Sequence, residues 1–103
     1  MNKNSDNRVK VTADVENFDY INNVQSGIGT DGAVYGNGFT MKNVNISGNY
    51  CAAYAGARWY YLGTVENLKS NYNYIIGSNC TDYFRVQTCL YGEAEFIGNH
   101  IEN

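Results

Sequence analysis

Residues 38–49 read GFTMKNVNISGN, and this stretch decides the fold. Small or polar residues separate its apolar side chains, which are Phe39, Met41, Val44 and Ile46. Alternation of this kind is typical of a β-strand with one buried face, and Gly48 and Asn49 then end the run as a turn does. The stretch therefore predicts a strand followed by a corner.

Weaker copies of this pattern recur along the chain at nearly constant spacing. The copies end at four asparagines separated by 26, 24 and 26 residues, namely Asn23, Asn49, Asn73 and Asn99. These four asparagines form one column, that is, a set of equivalent positions in successive copies. A second column lies six residues before it and comprises Asn17, Asn43, Asn67 and Glu93. A period near 25 residues on which several columns agree is the signature of a solenoid.

The spacing of the apolar residues decides which kind of solenoid is expected. Period-two alternation interrupted by Gly or Asn favours short strands and corners over the helices of ankyrin-like repeats. We therefore predict an all-β fold, a short parallel β-helix (β-solenoid) of about four coils, with coils about 4.8 Å apart. Residues 11–103 form its single domain, after a polar lead-in at residues 1–10.

Two further expectations follow from this fold. The four asparagines that end the repeats are predicted to form a structural ladder at one corner, because Asn tolerates the left-handed conformation and its amide can bond to the next coil. The alternative fold is a small antiparallel sheet or barrel with a helix over residues 51–69. Gly56, Gly63 and the aromatic strand formers between them argue against that helix.

Composition and charge exclude several classes of partner. Seven Lys and Arg against ten Asp and Glu give a net charge of −3, so no basic patch for nucleic acid is expected. No apolar run approaches membrane-spanning length, and the N-terminus lacks the apolar core of a signal peptide. We expect no membrane insertion, and a cytoplasmic protein as the chain is written, or an extracellular one if it belongs to a longer exported protein.

The cysteines indicate neither a disulfide framework nor a metal site. Their number is odd, and the three residues, Cys51, Cys80 and Cys89, lack the paired spacing of zinc ligands. Buried thiols are the expected state. No cofactor and no metal is predicted.

Short motifs in the repeat resemble a known family. NVNISGN and AEFIGN, with GNGFTMKN before the first of them, resemble the right-handed parallel β-helix repeat of the pectate-lyase-like superfamily. DGAVYG and NFDYINN are similar to repeats in the passengers of autotransporters and polymorphic outer-membrane proteins. The resemblance implies a right-handed β-helix, on a scaffold that lyases, hydrolases, phage tailspikes and adhesins share.

Catalysis is not expected. Polysaccharide-cleaving enzymes of the resembled superfamily cluster acids on one face, whereas the aspartates here occupy different columns: Asp14, Asp19, Asp31 and Asp82. His100 has no Ser or Cys spaced to suggest a triad. No catalytic residue is assigned.

Aromatic and arginine side chains are the better candidates for binding. Trp59 and Tyr61 are predicted to share one outward strand face, with Tyr60 on the other. Such residues anchor protein interfaces and stack on sugar rings. The predicted binding residues are Tyr54, Arg58, Trp59, Tyr61, Tyr83 and Arg85.

The sequence thus predicts a non-catalytic interaction module, adhesin-like in kind, that binds a protein or a glycan. Open coil edges at the solenoid ends predict homo-oligomers as well. The alternatives are a fragment of a polysaccharide lyase, hydrolase or tailspike-like β-helix, and a small phage-encoded or intracellular inhibitor of a host protein.

Overall fold

The computed structural model describes residues 8–28, 32–53, 59–77 and 83–102, which we call the first, second, third and last stretches. The described residues contain nine strands and no helix. The strands are β1 (Val9–Lys10), β2 (Val15–Ile21), β3 (Val24–Ile28), β4 (Val34–Ser47), β5 (Tyr50–Ala53), β6 (Tyr60–Lys69), β7 (Tyr74–Gly77), β8 (Phe84–Glu95) and β9 (His100–Glu102).

These strands form two parallel sheets. The first sheet contains β1, β2, β4, β6 and β8, and the second runs β3, β5, β7, β9. Each described stretch contributes to both sheets in turn, and all pairings among the described strands are parallel. The chain therefore winds from one sheet to the other and stacks each repeat on the one before. The prediction of an all-β parallel solenoid is confirmed.

Two details of the sequence prediction need correction. Val9 and Lys10, assigned to the polar lead-in, form β1 and pair with Val34 and Tyr35 of β4. The alternative fold with a helix over residues 51–69 is wrong for the described part of that segment, because most of β5 and all of β6 occupy it. Its aromatic and β-branched residues suit a pleated sheet.

The register of the first sheet follows the sequence period. Met41 pairs with Val15 of the first stretch and with Val65 of the third. The shorter spacing between the second and third stretches arises at one corner, where residues 37–39 lie opposite Gly63 alone. A Cβ on Gly63 would lie 2.8 Å from the Gly38 nitrogen and 2.9 Å from the Phe39 carbonyl oxygen. Only glycine fits there, because backbone atoms cannot move aside as a side chain can.

Two columns of left-handed residues make two further corners of the described stretches. The first column has positive φ at Asn17, Asn43 and Asn67, and the second has it at Asn22, Gly48, Tyr72 and Gly98. Asn and Gly adopt this conformation at the least cost, which explains why they recur where the chain turns. Tyr72 is the exception, and its ring lies over Gly98 of the last stretch, where a Cβ would be only 2.5 Å from it.

The core lies between the two sheets and is best enclosed in the second and third stretches. Its fully buried side chains include Met41, Ile46, Leu62 and Trp59. The equivalent inward columns of the last stretch are more open, with exposed fractions of 37% at Leu90, 48% at Phe96 and 42% at Ile101. We call this end the C-terminal face, formed by Phe84, Val86, Leu90, Ala94, Phe96 and Ile101.

Candidate binding surfaces

The predicted ladder asparagines join all four described stretches. The backbone N–H groups of Asn23, Asn49 and Asn73 donate to the side-chain oxygens of the next ladder asparagine at 2.8, 3.2 and 3.0 Å. The side-chain amides of Asn49 and Asn73 donate to the Tyr20 and Ile46 carbonyl oxygens at 3.0 and 2.9 Å. Asn49 and Asn73 are buried, so these residues hold the scaffold together and offer nothing to a ligand.

Trp59 does not lie on an exposed face, which corrects the sequence prediction. Its side chain is completely buried and meets the Tyr20 ring edge-on at 5.9 Å. Trp59 occupies the bend before β6, where strand alternation has not begun, so it points inward together with its neighbour Tyr60. Tyr54 and Arg58, two further predicted binding residues, lie outside the described residues.

Tyr61 and Arg85, by contrast, are brought together on the outer surface of the first sheet. Register places Lys10, Tyr35, Tyr61 and Arg85 in one column. The Arg85 guanidinium lies 5.0 Å from the Tyr61 ring centroid, and the Lys10 ammonium 5.9 Å from that of Tyr35. These cation–π contacts occupy ring faces that a sugar would need. Tyr83, the last predicted residue, is half-buried against the core.

A second aromatic surface, which sequence reasoning missed, covers the outside of the second sheet. The rings of Tyr50, Tyr74 and His100 stack nearly parallel, with centroids 5.6 and 4.5 Å apart. Tyr72 beside them is 65% exposed, and Ile76 is 36% exposed. We call this set the tyrosine patch: Tyr50, Tyr72, Tyr74, Ile76 and His100. The missed signal is positional, since Tyr50, Tyr74 and His100 each directly follow a ladder asparagine.

Glu102 hydrogen-bonds two members of the tyrosine patch. Its carboxylate accepts hydrogen bonds from the Tyr74 hydroxyl at 3.0 Å and from the His100 ring at 2.8 Å. The bond to Glu102 raises the pKa of Tyr74, and the bond from His100, with that from Tyr74, lowers the pKa of Glu102. At neutral pH the patch therefore carries a protonated phenol beside an ionised carboxylate.

An open polar groove of about 720 Å³ follows the first corner column. Its polar lining consists of Asn17, Asp19, Asn43, Asn45, Asn67, Lys69, Glu93 and Glu95. The amide of Asn43 donates to the Asn17 side-chain oxygen at 3.1 Å, and the Asn67 amide donates to that of Asn43 at 3.0 Å. The groove thus presents amide, carboxylate and ammonium groups along the solenoid axis.

The aspartates considered for catalysis are dispersed. Asp14 accepts a hydrogen bond from the Thr40 N–H at 2.8 Å, at a different corner from the groove that Asp19 lines. Asp31 and Asp82 lie outside the described residues. Asp19 and Glu95 are three strand spacings apart, about 14 Å, which is wider than the roughly 5–10 Å that paired carboxylates need for glycoside hydrolysis.

The two cysteines within the described residues differ in exposure. Cys51 is buried as expected, whereas Cys89 is an exposed free thiol, contrary to that expectation. Cys80 lies outside the described residues. Within the described ranges, no group of three or more His, Cys, Asp or Glu is placed to hold a metal ion. The same ranges contain no helix long and apolar enough to cross a bilayer.

Comparison with known proteins gives no match to a family model, to a curated protein sequence or to a solved structure. Membership of the pectate-lyase-like superfamily therefore stays a prediction from the repeat motifs.

Proposed function

We propose that this chain is a non-catalytic interaction module that binds a partner protein through the tyrosine patch. The observation that carries the proposal is the exposed stack of Tyr50, Tyr74 and His100. Their rings face one another along the solenoid axis, so they present edges and hydroxyl groups outward. Edges and hydroxyls suit a protein surface, where Tyr is an enriched hot-spot residue, better than a sugar ring that requires a free aromatic face.

The rigidity of the scaffold supports this proposal. The ladder asparagines precede the stacked rings directly, and the backbone N–H groups of Tyr50, Tyr74 and His100 donate to Asn23, Asn49 and Asn73 carbonyl oxygens at 2.7–2.9 Å. Aromatic side chains fixed in this way lose little conformational entropy when a partner binds. The patch is therefore preorganised before it meets a ligand.

The proposal is tested by probing arrays of purified proteins with the labelled chain and measuring each hit by calorimetry. Tyr74→Ala, which removes the middle ring of the stack, should weaken binding at least about tenfold, or by ~1.4 kcal/mol or more. Tyr35→Ala, on the outside of the other sheet, is the matched control and should retain affinity. Equal affinity of the wild type and Tyr74→Ala would reject the patch as the site.

A second candidate function is glycan binding in the polar groove. The observation that favours it is the row of amide and carboxylate groups along the solenoid axis, which can hydrogen-bond successive sugar hydroxyls. Glycan arrays should then show a signal that Lys69→Ala and Glu95→Ala reduce and Tyr74→Ala leaves unchanged. A reducing-sugar or unsaturated-product assay on the same glycans separates binding from cleavage. Turnover would favour the lyase or hydrolase alternative.

The identity of the partner separates the remaining alternatives. A bacterial or phage chain that binds a host-cell surface component fits the adhesin-like or tailspike-like interpretation, whereas one that binds and blocks an enzyme fits an inhibitor. The tyrosine patch serves either role, because both require a flat preorganised surface with aromatic anchors.

A further inference from the structure

We propose that the C-terminal face binds the first stretch of a second copy of this chain, head to tail, so that the β-solenoid continues from one molecule into the next. This inference is independent of the tyrosine patch and involves a different surface. It rests on three properties of the two ends, namely their strand edges, apolar columns and corner residues, and the charges at the two ends make it dependent on salt.

The strand edges allow only one arrangement that repeats the existing geometry. Among the described residues, β8 pairs with β6 and β9 pairs with β7, so each has one edge without a neighbour. Unpaired strand edges are templates for another chain. Since each described step is parallel and about 4.8 Å high, only a translated second copy superposes all columns. A tail-to-tail contact would reverse the strands.

The apolar columns match across such a junction. Register extends the column of Val44, Leu68 and Ala94 to Phe18 of a second copy, so the smallest residue of the C-terminal face meets the largest of that column. The column that contains Leu90 continues to Val15 in the same way.

Apolar residues at the corner that follows the first sheet also match across the junction. The corner residues Ile21 and Ile97 are 42% and 46% exposed, and they become neighbours in the stack.

The corner residues also continue in order. In the second left-handed column, Asn22 lies over Gly48 and Tyr72 over Gly98. The column therefore alternates between glycine and a residue with a side chain. A second copy places its Asn22 after Gly98, which repeats the step from Gly48 to Tyr72. In the neighbouring ladder, the Asn99 N–H faces the Asn23 side-chain oxygen of the second copy, as Asn73 faces Asn99 at 3.0 Å.

Charge opposes this association and makes it dependent on salt. Arg85 ends its column and would meet Lys10 of the second copy, about one strand spacing away. Glu95 would likewise meet Asp19. At both positions the backbones lie one strand spacing apart and the side chains carry like charges, so they repel more at low ionic strength than in 1 M salt, where the Debye length falls to about 3 Å. Stacking is therefore expected to increase with salt concentration.

Sedimentation velocity of the full chain tests this dependence. The wild type should be monomeric in about 0.01 M salt and form concentration-dependent oligomers in about 1 M salt. Lys10→Glu, which pairs with Arg85 across the junction, should tighten association several-fold at low salt. Lys42→Glu is the control, because Lys42 meets Glu66 within one chain at 3.9 Å and stays away from the junction. A monomer in both salts, or equal effects of the two variants, would overturn the proposal.

Cross-linking tests the direction of stacking. Cys89 shares its column with Thr64 and Thr40, and Asp14 stands next in that column in a second copy. In a Cys80→Ser background, Asp14→Cys should allow a disulfide between Cys89 and position 14 of the next copy. The two Cα atoms would lie one strand spacing apart, about 4.8 Å, which is within the range of disulfide Cα separations. Oxidation should give a series of covalent oligomers only when Asp14→Cys is present.

Two other cross-linking results would reject head-to-tail stacking. A Cys89–Cys89 dimer without higher species, formed in the Cys80→Ser chain with native Asp14, would show a tail-to-tail contact and overturn the proposal. If Asp14→Cys fails to fold, Glu16→Cys combined with Tyr91→Cys in a Cys80→Ser, Cys89→Ser background tests the neighbouring outward column, in which Glu66 pairs with Tyr91. Absence of cross-links in the folded double variant would equally reject head-to-tail stacking.

Discussion

The Trp59 indole is enclosed by the core and packs edge-on against Tyr20. Trp59→Ala should therefore reduce the free energy of unfolding by about 3–5 kcal/mol, through lost burial and the cavity left behind. Urea unfolding followed by circular dichroism measures this loss. Within the described residues the indole N–H has no hydrogen-bond partner, so Trp59→Phe should cost clearly less. Wild-type stability of Trp59→Ala would contradict the buried placement.

Tyr60 makes the protein sensitive to alkaline pH. Burial raises its pKa from 10.0 to about 12, against a smaller opposing effect of the hydrogen bond to Ser70. Because the folded state favours the neutral phenol, its contribution is complete below pH 10 and is lost as pH rises towards 12. The loss amounts to about 3 kcal/mol at 1.36 kcal/mol per pKa unit.

The Tyr60→Phe variant isolates this effect from that of other ionisable groups. Its stability should fall less steeply than that of the wild type between pH 9 and pH 12, a range set by the raised pKa of Tyr60. Chemical denaturation at a series of pH values gives the comparison. Identical slopes for the two proteins would show that Tyr60 ionises normally.

Tyr72 adopts the left-handed backbone conformation, which Asn and Gly, the other residue types of its column, adopt at lower cost. The φ of Tyr72 is 55°, and the equivalent positions of the two earlier stretches are occupied by Asn22 and Gly48. Left-handed backbone costs most residues about 1–2 kcal/mol and costs Asn less, so Tyr72→Asn should stabilise the fold by about 1 kcal/mol. Thermal unfolding measures the gain. A loss of stability instead would mean that the contact of the Tyr72 ring with Gly98 outweighs the backbone cost.

At the scale of the strand, the tightest step is the one-residue corner at Gly63. Gly63→Ala places a methyl group against the backbone of residues 38 and 39, and we expect a loss of about 1–3 kcal/mol, as for overpacked cores. Gly38→Ala is the matched control: its Cβ would meet nothing within 4 Å, so only the cost of its positive φ remains. Wild-type stability of Gly63→Ala would contradict the close approach, whatever the loss at Gly38.

The register of the strands and their inward-facing positions are the features that the sequence predicts best. Ladder asparagines fix the register, because a hydrogen bond between repeats requires the same residue at the same corner, and their spacing of 26, 24 and 26 residues is that of the observed bonds. Inward apolar positions follow from alternation along β4 and β6. Alternation breaks down at bends, which is why Trp59 was predicted to face outward and is buried.

The outward aromatic surface could not be predicted in the same way. Tyr50 and Tyr74 lie in short strands directly after a corner, and neither short strand contains enough alternation to show which side chains face outward. Which of ten tyrosines face solvent depends on where each corner ends, and a single sequence does not fix that position. Of the polar groove, the sequence shows only the repeat column that contains Asn17, Asn43 and Asn67, and it does not indicate that a groove runs along this column.

At the scale of the whole molecule, stability should be graded along the solenoid. Repeat proteins are held by contacts between neighbouring repeats, so stretches with two neighbours open less often than those with one. Hydrogen exchange should therefore protect β4 and β6 most, while β8 and β9 exchange faster. Uniform protection across the four described stretches would indicate all-or-none opening instead.

The hydrogen bonds of the asparagine ladder run in both directions along the solenoid. The backbone N–H groups of Asn49 and Asn73 donate to the following stretch, whereas their side-chain amides also donate to carbonyl oxygens of the preceding stretch. The dipoles of these opposed bonds largely cancel along the axis, as strand dipoles do in a sheet. Each middle asparagine therefore fastens its stretch to both neighbours at once, so the loss of one such side chain weakens two junctions and not one.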